Sequence, residues 1–313
     1  MNSYAIIFNL IEFKFMKLQR LFIVSAVFGL LLGSCEADKV ASEEILDTNQ
    51  IGNSERVILG VNTSEIPTNL DQSILDLISK NHLSALGAQR EEMVLPGGEK
   101  REVIRVEGDI VMSLEELRGL DFQGYEDIRN KQYSTNILVS PQTITVIGYT
   151  GGSQALTSSE RTALQWAINN YNRLNLNINF NLTFGTDFQN KDMVVYNNTV
   201  NNPNGAGGSA GFPSNENPNK FVQIYGLSNY NTNVIEHVLT HEIGHSVGFR
   251  HTDFFSRQSC GQNTNEGTAG VGANYIPGTP SGFDPTSIML ACFSNNEDGE
   301  FNSNDVTALN FLY

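Results

Sequence analysis

Basic residues are scarce in this chain: 19 Lys and Arg stand against 34 Asp and Glu, a net charge of −15 at pH 7, and no basic cluster breaks the deficit. Such a surface repels a phosphate backbone, which excludes nucleic acid as a partner. Charged residues of both signs make up only 17%, and Asn, Ser, Thr and Gly fill the gap, as expected of a loop-rich protein that works outside the cytoplasm. The apolar run Leu21–Leu32 is too short to span a bilayer comfortably. Cysteine is rare too, with only Cys35, Cys260 and Cys292. The chain has five histidines, yet four of them, His237, His241, His245 and His251, fall in one short window. A length of 313 residues allows one large domain or two modest ones.

The apolar run follows Lys17 and Arg20 and ends in Leu32-Gly33-Ser34-Cys35, which matches a bacterial lipoprotein signal. The competing reading is an ordinary core segment. We read residues 1–34 as a signal peptide, with Met16 as an alternative start. Cys35 would then be the lipidated first residue of an extracytoplasmic protein held on a bacterial membrane or cell surface. Residues 35–68 are polar and acidic, and they read as a tether. In that oxidising compartment Cys260 and Cys292 pair by default as a disulfide worth ~3–4 kcal/mol.

The histidine window contains His241-Glu242-Ile243-Gly244-His245-Ser246-Val247-Gly248-Phe249-Arg250-His251. On a helix, His241 and His245 share a face and can offer imidazole nitrogens to one metal ion. Gly248 lets the chain leave the helix in a left-handed conformation, and the turn returns His251 as a third ligand. Three histidines leave a fourth zinc position open for water, which is the catalytic rather than the structural pattern. Glu242 follows the first ligand and is placed to act as general base. His237 extends the same face and reads as a packed neighbour. Asp253 either orients a ligand or caps the turn.

Along the chain, Ile74, Leu77 and Ile78 predict a helix from Asp71 that stops at Gly87. Glu102 to Met112 reads as a strand, and Ser113 with Glu116 as a capping box. We place the start of the catalytic domain at residue 131, after a prosegment-like region 69–130. Ile144–Ile147 predicts its first strand, and Thr157 with Glu160 a second capping box. A helix then carries Leu164, Ala167, Ile168 and Tyr171 on one face. Leu176 to Phe184 alternate as a half-buried strand, and Met193–Tyr196 forms a short buried one. A long loop should cover 197–220, followed by a strand Phe221–Tyr225. Asn231-Thr232-Asn233, with Glu236 three residues beyond Asn233, should open the helix that runs on to Gly248. Glu297, Asp298, Glu300 and Asp305 could hold calcium, though a solvated acidic turn fits the spacing better.

The metal motif resembles that of the metzincin clan of zinc endopeptidases, and His-Glu-Ile-Gly-His followed by Gly-Phe-Arg-His-Thr-Asp looks like the bacterial HEIGH metallopeptidase family. The final Ser303–Tyr313 is similar to the closing helix of matrixin-like members. This resemblance implies an α+β fold: a twisted mixed sheet with two long helices, the zinc site on the second of them, a methionine turn at Met289 and a C-terminal helix, all preceded by a small α+β region. It implies an endopeptidase acting on protein or peptide substrates, with zinc as cofactor. It places a substrate-binding sheet edge at Ser209, Ala210, Gly211 and Phe212. Val106-Glu107-Gly108-Asp109 looks like the aspartate switch of astacin propeptides, with Val in place of their Phe, which makes Asp109 a possible latency ligand. A Gly-Asp turn at a strand end competes with that reading. No cysteine lies between Cys35 and Cys260, so a matrixin-type cysteine switch is excluded. We expect a monomer, released from its anchor after processing near Arg129. Two readings from other classes stay open. One is a surface lipoprotein that binds glycan or protein over a vestigial metal site, against which intact Glu242 argues. The other is a zinc-storage lipoprotein.

Overall fold

The structure, a computed structural model, describes residues 58–60, 63–120, 133–254, 256–262, 274–280 and 283–313. The expected signal peptide, Cys35, most of the tether and Arg129 lie outside the described residues. From the first described strand, β1 (Ile58–Leu59), the chain passes to α1 (Gln72–Lys80), which turns Ile74 and Ile78 inward. This helix ends well before Gly87, because His82 already takes a left-handed φ of 57°. Strands β2 (Gln89–Val94), β3 (Lys100–Val106) and β4 (Ile110–Met112) form an antiparallel sheet in that order. The single strand expected over Glu102–Met112 is therefore broken. Glu107 (φ 54°) and Gly108 (φ 95°) both adopt left-handed conformations, and the chain doubles back so that Val106 pairs with Ile110. The Ser113–Glu116 capping box opens α2 (Leu114–Gly119). These elements enclose a core of Leu70, Ile74, Ile78, Ile104, Ile110 and Leu117, which Phe212 from the later chain enters as well.

After β5 (Tyr133–Ser134) comes β6 (Gln142–Tyr149), and the Thr157–Glu160 capping box then opens α3 (Ser158–Asn172). There follow β7 (Ile178–Gly185), β8 (Met193–Asn197), β9 (Gly207–Ser209) and β10 (Phe221–Tyr225). The sheet order is β7-β6-β8-β10-β9, parallel except for the antiparallel edge strand β9. Next are α4 (Thr232–Ser246), β11 (Asn274–Tyr275), β12 (Phe293–Ser294) and α5 (Ser303–Leu312). The architecture is α+β: a mixed five-stranded sheet, two long helices and a closing C-terminal helix, the parts that the metzincin resemblance implies. One continuous core joins Ile144, Val146, Val195 and Ile224 of the sheet to Leu164 and Ile168 of α3 and Leu239 and Ile243 of α4.

Two local expectations need correction. The cap of α4 is Asn231, the first residue of the expected stretch, whose side chain accepts the Val234 N–H at 3.0 Å. Glu236 accordingly belongs to no capping box, and its carboxylate accepts from Asn170 Nδ2 at 2.9 Å. The sheet edge is Gly207–Ser209 and not 209–212. Ala210 makes a bridge to Ile110, Phe212 turns into the N-terminal core, and only Ser209 of the expected stretch lies in the strand. Two adjacent glycines are poor strand formers, which hid the edge from a reading by propensity. The N-terminal region pairs with two later segments of the chain. Val111 N–H donates to Ala210 O at 2.8 Å and Ala210 N–H to Asp109 O at 3.1 Å, while β1 pairs with β12.

Candidate metal centre

Helix α4 is buried all round from Val234 to Ser246, so its histidines are held by packing rather than by exposure to solvent. Gly248 (φ 107°) turns the chain out of the helix and brings His251 back. Nε2 of His241, His245 and His251 and a carboxylate oxygen of Asp109 all lie within 4.8 Å of one another. His245 Nε2 and His251 Nε2 are 3.2 Å apart. Asp109 Oδ2 lies 3.0 Å from His251 Nε2 and 3.5 Å from His241 Nε2, and its Oδ1 is 3.9 Å from His245 Nε2.

The other ring nitrogens face acceptors. His241 Nδ1 is 2.8 Å from Ile288 O, His245 Nδ1 is 2.8 Å from Phe249 O, and His251 Nδ1 is 3.3 Å from Glu107 Oε2. A ring that donates from Nδ1 carries its lone pair on Nε2, the tautomer a metal needs. His241 Nε2 is buried with no hydrogen-bond partner. Three converging imidazole lone pairs and a carboxylate fit a zinc ion.

The electrostatics follow from the crowding. Burial disfavours a charged Asp109, but His251 and the other two imidazoles outweigh it and hold its pKa well below the usual range. Burial alone would lower His251, yet Asp109 and Glu107 keep it up at about 9. Burial, then His241 and His251, push His245 well down. Glu242 is pushed well up by burial and by Asp109. Its side chain leans on the sheet edge: a Cβ built at Gly208 would stand 2.6 Å from Glu242 Cγ.

Met289 lies beneath the site, 2% exposed, with its sulfur 2.6 Å from where a Cβ of Gly244 would be. The small residue in the motif thus makes room for the methionine. Two carboxylates with no local sequence signal for a role at the metal support this set. Asp305, in the first turn of α5, accepts from Ser287 Oγ at 2.8 Å and Ile288 N at 3.0 Å. It fixes the peptide segment whose carbonyl faces His241, and burial raises its pKa to about 6 against those bonds. Glu107, 1% exposed, bridges His251 and Arg250, whose Nη2 is 2.8 Å from Oε1. Burial opposes its charge, but Arg250 and His251 hold its pKa at about 2. Its sequence signal was weak, an acidic residue between a buried Val and a Gly.

Asp253 caps rather than orients. It accepts from Ala291 N at 3.0 Å and Ser259 N at 2.9 Å, tying the loop after His251 to the segment after Met289. The Cys260–Cys292 disulfide joins the same two segments. His237 tilts against Phe293, ring centroids 4.4 Å apart, with its pKa lowered to about 3 by burial and then by His241. It stands outside the ligand cluster. The four acidic residues considered for calcium do not converge. Glu297 turns to Ser294, Glu300 to Arg173 and Asp305 to the methionine turn. Among the described residues the histidine–aspartate set is the only such cluster.

A buried three-histidine set, two on a helix and one just past its end, with a glutamate beside the first ligand and a methionine below, defines the class of zinc metallopeptidases. The model of the peptidase M57 family, described as a dual-action HEIGH metallo-peptidase, matches residues 104–313. The chain belongs to that family, whose substrates are proteins or peptides. No curated protein matches it. Among solved structures, one of myroilysin is 15% identical, covering 55% of this chain and 80% of that one with a TM-score of 0.35. A second, also of myroilysin, is 16% identical over 52% and 80%, with a TM-score of 0.32.

Proposed function

We propose that the chain is a latent zinc endopeptidase on a lipid anchor, with Glu242 as general base and Asp109 as the group that keeps it inactive. The observation that carries this reading is the Asp109 carboxylate in the fourth place of a set that would otherwise keep a position open for water. A bound zinc ion supplies Lewis acidity, which brings the pKa of water near 7 and polarises a carbonyl. The chain's own part is to present the three Nε2 atoms of His241, His245 and His251 in one tautomer. Glu242 takes the proton from the attacking water and returns it to the leaving amine. The edge strand β9 offers backbone groups that hold an extended peptide without strict demand on sequence. In the latent chain the neighbouring Ala210 is already bonded to the segment carrying Asp109. Residues 69–130 act as the prosegment, and a cut near Arg129 separates the enzyme from its anchor at Cys35.

The test uses the full chain with zinc and casein as substrate. Asp109→Ala should cleave without N-terminal processing, whereas the parent should need processing. Equal cleavage by the unprocessed parent would end the latency assignment. Glu242→Ala should keep zinc and lose cleavage, and retained activity would remove Glu242 from the mechanism. Cys35→Ser should move the protein from the membrane to the soluble fraction. Retention on the membrane would dispose of the anchor.

A further inference from the structure

Asp109 is not the only prosegment carboxylate at the site. Glu107, two residues earlier, is seated more deeply and makes more contacts. Its Oε2 faces His251 Nδ1 at 3.3 Å, and its Oε1 accepts from Arg250 Nη2 at 2.8 Å and from Ser84 N at 3.1 Å. Its main-chain carbonyl accepts from Arg257 Nη1 at 2.9 Å. It holds these contacts from a left-handed backbone, φ 54°, a conformation unfavourable for a residue that bears a side chain. A glycine would sit there more easily, and the next residue is one. A costly conformation kept by an acidic side chain that reaches a histidine ligand calls for a functional account.

We infer that Glu107 is a positioning residue for the metal: it holds His251 in the tautomer and orientation that direct Nε2 at the ion. This rests on the zinc reading of the three imidazoles and extends it. A carboxylate that accepts from the outer nitrogen of a ligating histidine orients the ring and makes it a better ligand. His241 and His245 obtain that service from carbonyls of the catalytic region. His251 obtains it from the prosegment. The segment that blocks the site therefore also completes it, and its departure takes away the acceptor of the third ligand together with the fourth.

Glu107→Gln keeps shape and volume but has one acceptor where two are used. Arg250 is cationic and claims the amide oxygen. The amide NH2 then points at His251 Nδ1, which must accept, and the ring proton moves to Nε2, where the metal should bind. The experiment compares the parent, Glu107→Gln and Asp109→Asn as full chains. Zinc affinity is read by competition with a chromogenic chelator, and the His251 tautomer by nitrogen-15 NMR of the metal-free protein at a pH above 9, where the ring is neutral. Expected is a loss of zinc affinity of about 10–100-fold in Glu107→Gln, together with the tautomer change at His251 and an unchanged circular dichroism spectrum. Asp109→Asn should leave the tautomer alone. Parent-like affinity and tautomer in Glu107→Gln would overturn the inference and reduce Glu107 to an anchor for its turn. An affinity loss with an unchanged tautomer would overturn it as well. A parent chain that binds no zinc would instead sink the proposed function, so the two failures are distinct.

Discussion

The two sides of the metal set are supported in different ways. His241 and His245 ride on one buried helix, and their outer nitrogens face main-chain carbonyls of Ile288 and Phe249. His251 sits past the helix end and faces a side-chain carboxylate, Glu107, brought from a distant part of the chain. A carbonyl is present whatever residue carries it, and it cannot leave without local unfolding. A carboxylate depends on one residue and on the seating of the segment that carries it. The helix side is thus fixed by secondary structure, while the His251 side is held by replaceable tertiary contacts: Glu107, the Asp253 hydrogen bonds and the disulfide.

Weakening either side should have distinct effects. Loss of the disulfide should have the largest effect on stability. It closes a span of 32 residues, and the chain-entropy relation gives about 3.7 kcal/mol for such a loop. A Cys260→Ala/Cys292→Ala double variant should unfold at correspondingly lower urea and lose zinc more readily, because the cross-link holds the His251 side. An unchanged midpoint would mean that Asp253 suffices alone. On the helix side, Gly244→Ala should cost about 1–3 kcal/mol by forcing Met289 away from the helix, read as a shift of the thermal midpoint. A shift in zinc affinity larger than the stability loss would show that the methionine turn transmits strain to His241.

The smallest effect concerns pH. Burial and then Glu300 raise Glu236 to about 7, against the Asn170 hydrogen bond. The folded state holds this proton more tightly than the unfolded one, so stability on this account is greatest at low pH. It falls as pH rises from about 4.5 to 7. Glu236→Gln keeps an acceptor for Asn170 and carries no charge, so it should flatten that slope in urea titrations. An unaltered slope would clear Glu236 of any part in it.

The metal set was legible because its spacing is dictated by helix geometry: four residues for one face, then a glycine exit. The capping boxes at Ser113 and Thr157 were legible for the same local reason. Asp109 could be read in two ways, as a turn residue or as a ligand. The left-handed Glu107-Gly108 pair makes the turn, and that turn carries the Asp109 carboxylate beside the imidazoles. Glu107 itself was hidden, because its partners Arg250 and His251 lie far along the chain and no periodicity links them. Strand β9 was missed because Gly207 and Gly208 carry no strand signal. Their lack of side chains serves tertiary contact, which local propensity does not record. The end of α1 was misjudged because His82, an ordinary residue by type, takes the conformation expected of Gly87.

The bare backbone of Gly208 against Glu242 couples two jobs that are usually distinct. One short run of main chain borders the place where a polypeptide would lie and also props Glu242, the proposed general base. Any tug along that border is felt at the carboxylate with no side chain to cushion it. Breeding variety into this border to retune what the enzyme accepts would therefore disturb its chemistry first, and retuning is better sought at positions that Glu242 does not touch.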